Sequence, residues 1–301
     1  MKMEKILVVI EADAKQQPAL ERARYLARKS GAELELLLAD FSPYLEDGYY
    51  FDPVQAKQLR YEHGEHRLRE LEALAAPLRD SGLEVAVTTA WGNPPNDEIV
   101  RRVKESAPSL VVASTRHHHK IARLLLSNED WELVRYCPAP LLLVKQQDWP
   151  DQPTIIAAVD PDHVHDKPAE LDHKLVAAGQ GLAEATGGHL NLFHSAWLPP
   201  LAGAFPLHPD AGEENRKLAD LAKATGVAES DCHWSAEEII RSLPALVEEK
   251  AASVVIMGAV SRSRLDRLLI GSTAEKLLDR LDCDVLVIKP DHMPATSQVL
   301  I

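Results

Sequence analysis

Apolar residues fall along this chain in two patterns that recur in both halves. Continuous aliphatic runs open each half, ILVVIEAD from Ile6 and IIAAVDPD from Ile155, each closing on an acid. Runs that are apolar at successive positions predict strands covered on both faces, as in a parallel sheet. After each run the period changes to three and four: Ala19, Leu20, Ala23, Leu26 and Ala27 in the first half, Leu171, Leu175, Ala178 and Leu182 in the second. These stripes predict amphipathic helices, with Pro18 and Pro168 in the first turn and Gly31 and Gly187-Gly188 as stops. A second strand follows each helix, ELELLLADF and HLNLFHSAW.

The closing segments align without a gap at an offset of 144, VVASTRHHHKIARLLLSNEDWELV over VIMGAVSRSRLDRLLIGSTAEKLL, and PLLLVK over DVLVIK. Each half therefore reads strand, helix, strand, a variable connector, then strand, helix, strand, helix, strand. Alternation of this kind implies α/β architecture: two tandem doubly wound domains, each with a five-stranded parallel sheet joined by right-handed crossovers. The polar, Pro-rich DWPDQP at 148–153 marks the boundary, giving domains 1–150 and 151–301. A length of 301 residues independently suggests two domains of about 150 each.

Charge narrows the partners. Thirty-three Lys and Arg against 46 Asp and Glu leave a net −13, which repels nucleic acid and anionic membrane. No apolar run reaches the length of a membrane helix, and the stretch from Ile6 to Ile10 is too short for a secretory signal, so the expected location is cytoplasmic. Three widely spaced cysteines, Cys137, Cys232 and Cys283, carry no C-x-x-C pair and are expected as buried free thiols.

The most informative segment runs from Ile256 to Leu278. A strand enters Gly258, a basic turn follows with Arg262, Arg264 and Arg267, and Gly271-Ser272-Thr273 opens a helix. Gly258 would let a ligand approach the backbone at the strand end, and Gly271, Ser272 and Thr273 would offer N–H groups and hydroxyls where the helix dipole favours an anion. On their own these residues equally suit a tight turn with Ser272 or Thr273 as N-cap.

The spacing G-x2-S-x9-G-S-T, in a unit that opens with AVD, resembles the nucleotide motif of the universal stress protein family, usually G-x2-G-x9-G-[S/T]. The resemblance covers nearly the whole chain as two tandem copies. It implies ATP or a related adenine nucleotide, with Mg²⁺ as companion, and a role in stress survival. Carried over by position, Ala158, Val159 and Asp160 border the adenosine, Gly258 and Ser261 follow the phosphates, and Gly271, Ser272 and Thr273 clasp them. Met257 belongs to the same nucleotide-binding set. Ser261 stands where the second glycine is usual: its Cβ crowds the phosphates, while its hydroxyl can donate to them. In the first copy Ser114, His117, Ser127, Asn128 and Glu129 occupy the positions of Gly258, Ser261, Gly271, Ser272 and Thr273. An acid facing phosphate is repulsive, so the first copy is not expected to hold nucleotide in this manner.

Other features are weaker. His117-His118-His119 cannot converge from one helix face and reads as a solvated turn. Asp160, Asp162, His163, His165 and Asp166 form a polar cluster from which Asp160 or Asp162 could contact a phosphate-bound metal. The connector from Phe41 to Tyr61 holds six of the fifteen aromatics, and its counterpart WLPPLAGAFPLHP begins at Trp197; either is a packed surface loop or the wall of an apolar pocket. No nucleophile elbow, Walker sequence or zinc-protease motif is present, and His194 and Ser195 point to opposite faces of a strand.

The chain is therefore expected to be a non-enzymatic, nucleotide-binding stress regulator. The alternatives are a binding module for a small apolar or amphipathic metabolite, and a slow ATPase. In the family the last strands pair across a two-fold interface, so LLLVK and VLVIK would make the two domains an internal pseudo-dimer, with a further homodimer left open.

Overall fold

A computed structural model describes residues 2–46, 51–115, 128–145, 148–161, 170–197, 211–259 and 272–290. The chain divides into two compact units, Lys2–Gln146 and Gln147–Ile301.

In the first unit the strands are β1 (Lys5–Val9), β2 (Glu33–Asp40), β3 (Val85–Trp91), β4 (Leu110–Ser114) and β5 (Leu141–Val144). They form a parallel sheet in the order β3-β2-β1-β4-β5. The helices between them are α1 (Pro18–Ser30), α2 (Pro53–Asp80), α3 (Pro95–Ser106) and α4 (Asn128–Tyr136). The aliphatic runs fill the centre: Ile6, Leu7, Leu36, Leu37, Val111, Val112 and Leu143 are all buried. Helices cover both faces. Asp40 of β2 bonds to Arg67 of α2, whereas Glu35, of opposite parity on the same strand, bonds to Arg102 of α3.

The second unit repeats the plan. Its strands are β6 (Thr154–Val159), β7 (His189–Ser195), β8 (Cys232–Ser235), β9 (Val254–Gly258) and β10 (Asp284–Ile288). They are parallel in the order β10-β9-β6-β7-β8. The helices are α5 (Leu171–Thr186), α6 (Ala211–Thr225), α7 (Ile239–Glu249) and α8 (Ser272–Arg280).

The helix stops act as the glycines predict: Gly31 (φ 75°) and Gly187 (φ 71°) are left-handed caps of α1 and α5. Alanine takes the same conformation at Ala107 (φ 44°), after α3, and at Ala251 (φ 46°), just past α7, two positions related by the 144 offset. Pro18 opens α1 as expected, while the described part of α5 begins at Leu171 and Pro168 lies outside the described residues.

The connectors differ from the irregular segments expected. From Pro53 the first is already helix, the start of α2, 28 residues long, begun by the Asp52 side chain, which accepts from the Val54 and Gln55 N–H groups at 2.9 and 3.1 Å, with Pro53 at the first helical position. The second is followed by α6 before β8. No helix among the described residues is long and apolar enough to cross a membrane. Cys137 and Cys283 are buried; Cys232 is only half-buried.

Candidate functional site

In the order β10-β9-β6-β7-β8 the connections run in opposite directions from β6 and β9, so a crevice is expected outside their carboxyl ends. The hydrogen-bond registers show where it opens. β6 and β9 pair only as far as Ala157↔Ile256. Each stays bonded to its other neighbour for two residues more, through Val159↔His194 on one side and Ile288↔Gly258 on the other. The strands thus part between Ala158-Val159 and Met257-Gly258.

Four expected site residues meet at this lip, and Asp160 follows at once. Val159 and Met257 are buried, while Ala158, Asp160 and Gly258 are half-buried. The Asp160 N–H donates to Asp172 Oδ1 at 3.2 Å, which ties the loop to the first turn of α5. His194, fully inside, sets Nδ1 3.2 Å from the Val159 carbonyl and fixes that strand end from the far side.

Gly258 has a role that its sequence context did not suggest. A Cβ there would stand 2.8 Å from Leu171 Cδ2, so the missing side chain lets the start of α5 close onto β9. Thr273 is exposed in the first turn of α8, which Ala274, Leu277 and Leu278 anchor in the core. Ser272 begins that helix. Ser261 and Gly271 lie outside the described residues, as do Arg262, Arg264 and Arg267. The described part of the site is thus a small residue, Ala158, where the two strands part, with a glycine ending the adjacent strand.

The first unit opens in the same way, β1 and β4 pairing only through Val8↔Val112. Here Ser114 replaces the glycine and is buried, its Oγ accepting from the Ala19 N–H at 3.1 Å. The loop after β1 is closed by Gln17, whose amide accepts from the Glu11 N–H at 3.2 Å and donates to the Glu11 carbonyl at 2.7 Å. His117, His118, His119 and Ser127 lie outside the described residues, and Asn128 and Glu129 fall in the first turn of α4.

Sequence reasoning missed a polar cluster at the far end of β2. Arg67 of α2, buried, binds both Asp13 oxygens at 2.9 Å, Asp40 Oδ2 at 2.8 Å and Glu70 Oε2 at 2.8 Å. His63 sets Nε2 2.8 Å from the same Asp40 oxygen. The Asp13 hydrogen bond leads in holding the Arg67 guanidinium charged, against the effect of burial, with Glu70 and Asp40 adding to it. Burial pushes the Asp40 carboxyl up, but the bonds from His63, Arg67 and the Phe41 N–H outweigh it and keep it below the usual carboxylate range. Of the connector aromatics, Phe41 packs on Trp91 at 5.7 Å between centroids; Tyr49 and Tyr50 lie outside the described residues. The repeat of acids and bases three and four apart along α2 was the available signal.

Among the described residues no three His, Cys, Asp or Glu side chains gather as a metal site. Asp162, His163, His165 and Asp166 are outside those residues.

Comparison with known proteins agrees with the duplication. Residues 2–145 and 154–289 each match the model of the universal stress protein family. The chain is 28% identical over 297 residues to universal stress protein E of Photorhabdus laumondii, with 95% of each covered. A crystal structure of a universal stress protein from Pseudomonas aeruginosa superposes with a TM-score of 0.75 at 25% identity, covering 96% of this chain and 94% of that one. One from Archaeoglobus fulgidus gives 0.67 at 18% identity, covering 96% and 99%.

Proposed function

The chain belongs to the universal stress protein family, in two tandem copies, and from that premise we propose that its second copy binds ATP or a related adenine nucleotide as a stress-response regulator in the cytoplasm. The observation that carries the reading is the parting of β6 and β9 after Ala157↔Ile256, with Ala158, Val159, Asp160, Met257 and Gly258 at the lip. A flat base enters such a crevice with its ribose toward the strand ends. The phosphates then run over Ser261 toward Gly271, Ser272 and Thr273 at the start of α8, where N–H groups and the helix dipole meet them. Mg²⁺ would accompany the phosphates, with Asp160, which directly follows β6, as a carboxylate that could meet it.

The first copy does not bind in this way in our reading, because Ser114, His117, Ser127, Asn128 and Glu129 stand where the second has Gly258, Ser261, Gly271, Ser272 and Thr273, and an acid at the phosphate position is repulsive. It serves instead as the structural partner of the second copy.

Nucleotide should raise the unfolding temperature of the full chain in a saturable manner, and Gly271→Asp, which sets a carboxylate against phosphate, should abolish the shift while leaving the unliganded midpoint in place. A midpoint indifferent to millimolar ATP and Mg²⁺ would overturn the proposal. Phosphate release that disappears in Gly258→Asp would replace it with the slow ATPase.

A further inference from the structure

The core-facing stripe of α2 is interrupted. Its buried residues are Ala56, then Arg67, Leu71, Ala75 and Leu78. Between Ala56 and Arg67 the positions that continue the stripe are Arg60, His63 and Gly64, over three turns or about 16 Å of helix. Beneath them lies a cavity of about 330 Å³, at the small end of the roughly 300–1,000 Å³ of small-molecule pockets.

Its floor is the carboxyl end of two strands, Leu38 of β2 with Ala90 and Trp91 of β3. Trp91 is held edge-on by His63 at 5.5 Å between centroids. Tyr61 stands at the mouth, 65% exposed. Gly64 sits in the wall, and a Cβ there would meet nothing within 4 Å. Glycine weakens a helix interior relative to alanine, so here it leaves open space without any demand from backbone conformation or packing.

The charges facing the cavity favour an anion. Asp40 is the acid among its lining residues, and both its oxygens are engaged, Oδ1 by the Phe41 N–H at 2.8 Å and Oδ2 by His63 and Arg67. Asp13 and Glu70, behind them, are bound to Arg67. At the mouth stand Lys57 and Arg60, about three and two turns of helix before the buried Arg67. An overall charge of −13 makes this basic mouth a local exception.

We infer that the cleft between α2 and the ends of β2 and β3 is a binding site for a small amphipathic anion, its aromatic or aliphatic body on Leu38, Ala90, Trp91 and Tyr61 and its acidic group at Lys57 and Arg60. The site is in the first copy, on strands other than those flanking the nucleotide crevice, and stands independently of nucleotide binding by the second.

The test titrates the full chain by calorimetry with 2-naphthoate and decanoate, each with and without ATP. At least one should bind saturably at one site per chain, equally in both conditions, with 2-naphthamide or decanol at least tenfold weaker. Lys57→Glu with Arg60→Glu, both on the surface of α2, should weaken the anion at least tenfold. Gly64→Leu should abolish binding while circular dichroism and the unfolding midpoint are retained; the charge variants keep the test valid if that chain is unstable. No saturable heat with either anion up to millimolar concentration overturns the inference. So does a preference for the neutral probe or for 2-naphthylmethylamine, or affinity unchanged by Gly64→Leu in a folded chain.

Discussion

Ser114 caps a helix to which it does not belong: its Oγ accepts the Ala19 N–H, the second of α1, across 95 residues of sequence. Gln17, the residue at the N-cap position, makes no side-chain cap bond. In the second copy the equivalent position is Gly258, against Leu171. One position at the strand end thus holds the start of α1 by a hydrogen bond in the first copy and lets the start of α5 pack closely in the second.

Ser114→Ala should lower the stability of the first copy by about 1 kcal/mol, the usual cost of losing a cap oxygen. The reciprocal Gly258→Ser forces Leu171 aside and should cost about 1–3 kcal/mol as overpacking. Urea midpoints at constant slope measure both; an unchanged Ser114→Ala midpoint would mean that water replaces the bond.

Arg67 answers three carboxylates, of which Asp40 is the most enclosed. Arg67→Met should cost about 3 kcal/mol, because it strands Asp40 in a partly dry site. Asp13→Asn, at an exposed end of the network, should cost under about 1 kcal/mol. Equal effects in urea denaturation would contradict this ranking.

Glu35, fully buried in β2, is met by Lys5 Nζ at 2.7 Å, Thr88 Oγ1 at 3.0 Å and Arg102. Burial raises its carboxyl, but these three partners together prevail and hold it below the ordinary value. Its stabilisation is therefore present above the unfolded value of about 4.3 and is lost as pH falls through the lower folded value. The stability gap between the native chain and Glu35→Gln should be full at pH 7 and narrow as pH falls below about 4. A gap independent of pH would assign the effect to packing.

Gly64→Ala should stabilise α2 by about 0.5–1 kcal/mol, as expected for glycine replaced inside a helix where the new methyl meets nothing. Thermal unfolding without ligand reads this directly, and a destabilised variant would show that the glycine has a packing partner.

Much of the architecture could be read from residue patterns because its strands are buried on both faces and its first helices carry clear stripes and glycine stops. The resemblance to the family's motif, carried over by position, names Ala158, Val159, Met257 and Gly258, and the pairing of β6 with β9 ends just before these residues. α2 could not be read this way: its core stripe is broken by Arg60, His63 and Gly64, and its face carries charge where a pattern search looks for Leu. The Asp52-Pro53 start was the visible sign. Long-range polar pairs such as Ser114 with Ala19, or Glu35 with Lys5, depend on register between strands, which local sequence does not encode.

Ala107 and Ala251 keep the same left-handed turn in both copies without the glycine that usually allows it. Each holds a small conformational debt that a glycine would cancel. The pair is a matched set of internal gauges of cooperativity. If the two copies melt as separate units, Ala107→Gly raises one calorimetric transition and Ala251→Gly the other; if they melt as one, both substitutions move a single peak and their effects add.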